Sequence, residues 1–142
     1  MNKIPLLCCI SLTLVLVAHG APTSPSPTTL LLFLQDDLNQ IQLKLNNVSE
    51  RMKKYEIYIP SNTSSIADLQ CFIKELNPVA EALKYESRES QDIQTFISNI
   101  NVNVKNLMGS ETVHCHYASK IKIEGFFEQL IELCQKLRQS TL

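Results

Sequence analysis

The chain contains no tryptophan, only three glycines and three histidines in 142 residues, and no excess of either charge: 13 Lys and Arg stand against 14 Asp and Glu. Each shortage excludes something. So few glycines cannot build a phosphate-cradling loop, and neither G-x-S-x-G nor H-E-x-x-H occurs. A formal net charge of −1, with the basic residues scattered, leaves no electrostatic footprint for nucleic acid and no polybasic membrane patch. His114 and His116 flank Cys115, but alternate residues of an extended segment point one way and the residue between them the other, so two surface histidines are expected rather than a metal site. No enzymatic activity, cofactor, metal or nucleic-acid partner is expected, and recognition is left to local shape.

Only one long apolar run is present, from Leu6 to Val17, preceded by Lys3 and followed by Ala18-His19-Gly20. It is shorter than the roughly 20 residues of a membrane span and has the layout of a secretory leader with small residues before its cut. Residues 1–20 are therefore read as a signal peptide and 21–142 as one mature domain, secreted, monomeric and not inserted in a membrane. Apolar residues at 44% and charged residues at 19% fit a chain that buries a core. Cys8 and Cys9 leave with the leader, so Cys71, Cys115 and Cys134 remain, an odd count in an oxidising compartment: one bridge and one thiol. Asn47-Val48-Ser49 and Asn62-Thr63-Ser64 are acceptor sequons suited to a secreted surface. With Thr23, Asn47 and Asn62 are the expected glycosylation sites.

Four segments carry the helical period. Leu31, Leu34, Leu38, Ile41, Leu45 and Val48 form the first stripe. The second follows a capping box, Ser65 with Asp68, and runs through Leu69, Phe72, Leu76, Val79 and Leu83; Pro78 predicts a kink or break near Asn77. The third has Ile93, Ile97, Ile100, Val104 and Leu107 and stops at Gly109, suited to a left-handed cap. The fourth has Ile123, Phe127, Leu130, Cys134 and Leu137, beginning after Tyr117. The link from Lys84 to Ser90 is short, whereas about sixteen residues join the first helix to the second and about ten the third to the fourth, reaching roughly 50 and 33 Å when extended. Long crossovers of that reach permit an all-α, up-up-down-down four-helix bundle. Tyr55 to Ile59 and Val113 to Tyr117 alternate in polarity and predict that the crossovers pair as short strands.

Helical phase also sorts the cysteines. Cys134 falls on the core stripe and is expected as a buried thiol, while Cys71 and Cys115 lie off it, which predicts a Cys71–Cys115 bridge worth roughly 4 kcal/mol on the chain-entropy model. On the outer surface, Asp37 sits about 60° from the centre of the first stripe, and Val102 faces away from the third stripe beside Asn99, Asn103 and Asn106.

Leu69-Gln70-Cys71 through Glu75-Leu76-Asn77-Pro78, Ile97-Ser98-Asn99-Ile100-Asn101-Val102, Gly109-Ser110-Glu111-Thr112, Cys115-His116-Tyr117-Ala118, Cys134-Gln135 and the mature start Ala21-Pro22-Thr23-Ser24 occur in this order. Together they resemble the interleukin-2 family of short-chain four-helix cytokines. The resemblance implies a lymphocyte growth factor that assembles receptor chains. In it Asp37, Asn99 and Val102 match contacts to the receptor beta chain, and Gln135, about 120° from the core stripe, matches a contact to the common gamma chain. Arg51, Tyr55, Tyr58, Glu75 and Pro78 match the alpha-chain surface. The chain departs from the family pattern at Glu56, where a lysine is usual, at Lys74, where an acid is usual, and at Thr95, where an acidic beta-chain contact is usual. The related interleukin-15 typically carries a second disulfide, for which cysteines are lacking here. A secreted helical lipid carrier would show the same four stripes, and a secreted hydrolase is a third alternative.

Overall fold

A computed structural model describes residues 25–84, 86, 88–109 and 112–141. The first element, α1 (Pro27–Lys44), begins where it does because the Ser26 hydroxyl accepts the Thr29 N–H at 3.2 Å and Pro27 takes the first turn, where a missing N–H costs nothing. A 3-10 turn (Leu45–Asn47) and the one-turn helix α2 (Glu50–Lys53) follow, the latter capped by Ser49. Then come β1 (Glu56–Pro60), α3 (Ile66–Lys74), α4 (Leu76–Leu83), α5 (Arg88–Met108), β2 (Tyr117–Lys122) and α6 (Ile123–Thr141).

All six apolar residues of the first stripe, Leu31 through Val48, are buried. The capping box forms at α3: the Ser65 hydroxyl accepts the Asp68 N–H, and the Asp68 carboxylate accepts the Ser65 N–H at 3.0 Å. Burial pushes the Asp68 carboxyl up, but hydrogen bonds from Ser64 and Ser65 outweigh it and hold the group below its ordinary value. Pro78 divides the second rod at Glu75 rather than at Asn77. The proline cannot donate to the carbonyl four residues back and its ring crowds that carbonyl, Lys74, so the break falls a turn earlier than the proline itself. The link to α5 is also shorter than the sequence spacing indicates, because α5 begins at Arg88. That helix ends at Met108; the Gly109 N–H still donates to the Lys105 carbonyl at 2.9 Å, and its φ of 69° lies in the left-handed region that closes a helix and suits glycine.

Two observations fix the topology. Lys44 at the end of α1 pairs with Asp92 near the start of α5 at 3.4 Å, so these rods run antiparallel. The crossovers also run in opposite directions, since β1 and β2 pair antiparallel with Tyr58 opposite Lys120 and Glu56 opposite Lys122. The result is the all-α, up-up-down-down bundle with two long crossovers. The second strand is not where alternation puts it. Val113–His116 lies outside the ladder, and pairing uses Tyr117–Lys122, which has almost no alternation of burial because Ala118, Ser119 and Lys120 are all exposed.

The core has an aromatic centre of tilted and edge-on rings. Phe126 lies 5.4 Å from Phe72 and 5.5 Å from Phe127, ring centre to ring centre. Phe126, Ile131 and Leu133 are buried beside the five α6 residues of the expected stripe. The arc is broader because α6 packs against α1 on one side and against α3 and the strands on another. Cys71 and Cys115 are joined, their Cα atoms 5.6 Å apart, and Cys134 is free and fully buried. Cys71 is itself buried, so lying off the main stripe did not place it at the surface.

Candidate functional site

Two long helices build the first surface. On α1, Phe33, Asp36 and Asp37 lie within little more than one turn; on α5, Asn99, Val102 and Asn103 do the same, and the six residues line one open groove of about 420 Å³. Phe33 is 44% exposed and Val102 56% exposed, apolar area that the bundle does not cover. Asp37 is half-buried, and its carboxyl is raised above the ordinary value, first by burial and then by the charge of Asp36. The groove thus brings Asp37 to Asn99 and Val102, from which it lies far in sequence. It adds Phe33 and Asp36, which the sequence analysis missed. Phe33 was detectable as an apolar residue one turn before Asp37 and off the core stripe. Asn106 is exposed on the same helix but does not line the groove. Thr95 is exposed too, its hydroxyl donating back to the Gln91 carbonyl at 3.1 Å.

The second surface belongs to the crossovers. Tyr55, Glu56, Tyr58, Glu75, Pro78 and Lys120 line a depression of about 180 Å³. Tyr58 is 45% exposed, with Lys120 Nζ 4.6 Å above its ring and Tyr117 5.9 Å to its side. Burial raises the Glu75 carboxyl and the charge of Lys120 opposes that rise. Burial, followed by the charge of Glu75, raises the Tyr117 phenol. Lys74 is turned to the loop before β2, donating to the Val113 carbonyl at 3.2 Å. Arg51 does not line the depression; it is ion-paired with Glu86, and the Ser49 hydroxyl together with the Arg51 guanidinium holds that carboxyl below its ordinary value. The pair is 35 residues apart in sequence and invisible to local pattern.

The third region is α6. Gln135 is exposed, and beside it a cleft of about 330 Å³ separates α6 from the loop after β1, lined by Thr63, Gly125, Glu128, Gln129, Glu132 and Lys136 among others. Asn47 and Asn62 are both exposed, while Thr23 and the leader segment lie outside the described residues. His114 and His116 are exposed, and among the described residues no three His, Cys, Asp or Glu side chains assemble as a metal site. The Cys134 thiol is pushed up to about 12 by burial, which suits a core residue and not a nucleophile. Among the described residues no helix is long and apolar enough to cross a membrane.

Comparison with known proteins adds a family to this geometry. A family model described as Interleukin 2 matches residues 7–139. The chain is 36% identical to interleukin-2 of Oryctolagus cuniculus over 147 residues, covering 96% of each chain. It is 36% identical to interleukin-2 of Macaca fascicularis over 149 residues and 35% identical to that of Sus scrofa over 149 residues, in both cases covering 96% of this chain and 97% of the relative. The chain belongs to the interleukin-2 family.

Proposed function

We propose that the α1–α5 groove is the contact for the receptor beta chain, that the α6 face around Gln135 meets the common gamma chain, and that the crossover surface meets the alpha chain. As a member of its family the chain is a cytokine that drives T-cell proliferation, not an enzyme, and it acts through interleukin-2 receptor chains. Its relatives are secreted; here the reading adds that residues 1–20 are a cleaved leader and 21–142 the monomeric mature domain. The observation that carries the beta-chain assignment is the meeting of Asp37, Asn99 and Val102 in one groove with uncovered apolar area at Phe33 and Val102. Such a combination, an aromatic and an aliphatic anchor around a partly desolvated acid, is where interface energy concentrates. Gln135 and the crossover residues Tyr55, Tyr58, Glu75 and Pro78 have the exposure or the shared depression that contact needs. Arg51 stays exposed while paired with Glu86, so it meets a partner with part of its guanidinium already engaged.

Bringing two receptor chains to separate faces of one rigid bundle places their cytoplasmic parts side by side, which is how a protein without chemistry of its own starts a signal. Immobilised beta, common gamma and alpha ectodomains should each bind the native chain. Asp37→Lys should abolish the proliferative response of lymphocytes and beta-chain binding, with an unchanged circular dichroism spectrum. Full signalling by that variant would overturn the beta-chain assignment.

A further inference from the structure

Asn62 lies exposed in the loop that leaves β1, and this loop is tied at both ends. The Ser61 N–H donates to the His116 carbonyl at 2.8 Å, and the Ser64 N–H donates to Asp68 Oδ2 at 3.0 Å. Its neighbour Thr63 is half-buried and forms one wall of the cleft against α6. The opposite wall is polar: Glu128, Gln129, Glu132 and Lys136 offer carboxylates, an amide and an ammonium, while Gly125 contributes no side chain and leaves room. Acceptors and donors of that mixture suit a ligand rich in hydroxyl and acetamido groups. The acceptor sequon Asn62-Thr63-Ser64 begins at the rim of this cleft.

We propose that Asn62 carries an N-linked glycan whose innermost N-acetylglucosamine residues lie in the cleft between the 61–64 loop and α6, where they border the face that bears Gln135. The donor is an oligosaccharide on a lipid pyrophosphate, met during export. Asn62 Nδ2 forms a bond to C1 of the first sugar as the C1–oxygen bond breaks; the lipid pyrophosphate leaves with the electron pair and Nδ2 loses one proton. No oxidant or reductant is needed. Glu128, Glu132, Gln135 and Lys136 stand at i, i+4, i+7 and i+8 on α6 and so share one face. Sugars seated over the first two and the last crowd a partner approaching Gln135 and lower its association rate, because docking must find a narrower set of orientations. That consequence, unlike the modification itself, rests on the gamma-chain reading of Gln135.

The test uses the full chain secreted from mammalian cells. Intact mass and glycopeptide mapping of wild type and Asn62→Gln should show the loss of one N-glycan in the variant. Peptide N-glycosidase should release this glycan severalfold more slowly from the native protein than from the denatured one. Common gamma ectodomain should associate severalfold faster with Asn62→Gln than with wild type. An unmodified Asn62, or equal release before and after denaturation, overturns the proposal. If Gln135→Ala weakens gamma binding but Asn62→Gln leaves association unchanged, the shielding is overturned. If neither variant alters gamma binding while the glycan is present and protected, the sugar site stands and the Gln135 assignment falls.

Discussion

The α1–α5 groove and the crossover surface differ in how their charges are satisfied. In the groove, Asp36 and Asp37 face amides and apolar side chains, and burial together with mutual repulsion raises the Asp37 carboxyl. At the crossovers the charges already have company: Arg51 pairs with Glu86, Lys120 stands over Tyr58 and near Glu75, Glu56 is opposite Lys122, and Lys74 donates to a carbonyl. A partner of the groove is rewarded for bringing hydrogen-bond donors to Asp37. A partner of the crossovers must displace or accommodate contacts that the fold itself makes, so shape at Tyr55, Tyr58 and Pro78 counts for more there than charge.

The scaffolds differ as well, and the largest expected effect tests this. The groove stands on two long helices, whereas the crossover surface depends on the Cys71–Cys115 bridge beside β2. Replacing both cysteines by serine should lower unfolding free energy by about 4 kcal/mol in chemical denaturation, and in the folded fraction should weaken alpha-chain binding more than beta-chain binding. An equal loss at both surfaces would show that they are not independently supported.

Next in size are the apolar anchors. Phe33→Ala should cost beta-chain affinity about 2 kcal/mol, roughly thirtyfold in Kd, and Val102→Ala about 1 kcal/mol, read by surface binding. Neither should alter alpha-chain binding. A larger effect of either on the alpha chain than on the beta chain would dissolve the distinction between the surfaces.

Acid sharpens the same contrast with the smallest effect. Glu86 has a depressed carboxyl, so its stabilising pairing with Arg51 is complete above the ordinary carboxylate range and is lost as pH falls through the folded value. Asp37 has a raised carboxyl, so ionising it costs the free protein stability, and protonation on acidification relieves that cost. Glu86→Gln should therefore remove the Arg51 part of the acid response, free the guanidinium and speed alpha-chain association modestly at neutral pH. An association rate that falls instead would mean that the ion pair organises the surface.

How much of each region could be read beforehand follows from the same difference. The helical stripes of α1 and α5 are regular, so the outward positions of Asp37, Asn99 and Val102 followed from phase alone, and only the extra groove residues Phe33 and Asp36 escaped. Cys134 was legible for the same reason. The crossovers have no such period. Val113 to Tyr117 alternates in polarity, yet the bridge at Cys115 and the Lys74 contact with Val113 lie in that segment, while the strand forms at Tyr117–Lys122, whose exposed middle residues carry no pattern. Phe126, Ile131 and Leu133 were missed because α6 is packed from two sides, so a single stripe underestimates its buried arc. The Arg51–Glu86 pair needed the tertiary fold to bring its members together.

The central claim is that the beta chain grips the groove and not the crossovers. A lysine placed in the middle of each surface tests it: beta ectodomain binding is measured side by side for Asn99→Lys and Tyr58→Lys, each shown by circular dichroism to be folded. The account predicts that Asn99→Lys loses binding while Tyr58→Lys stays within about twofold of wild type, the size of a rim effect. Binding retained by Asn99→Lys and lost by Tyr58→Lys would contradict it.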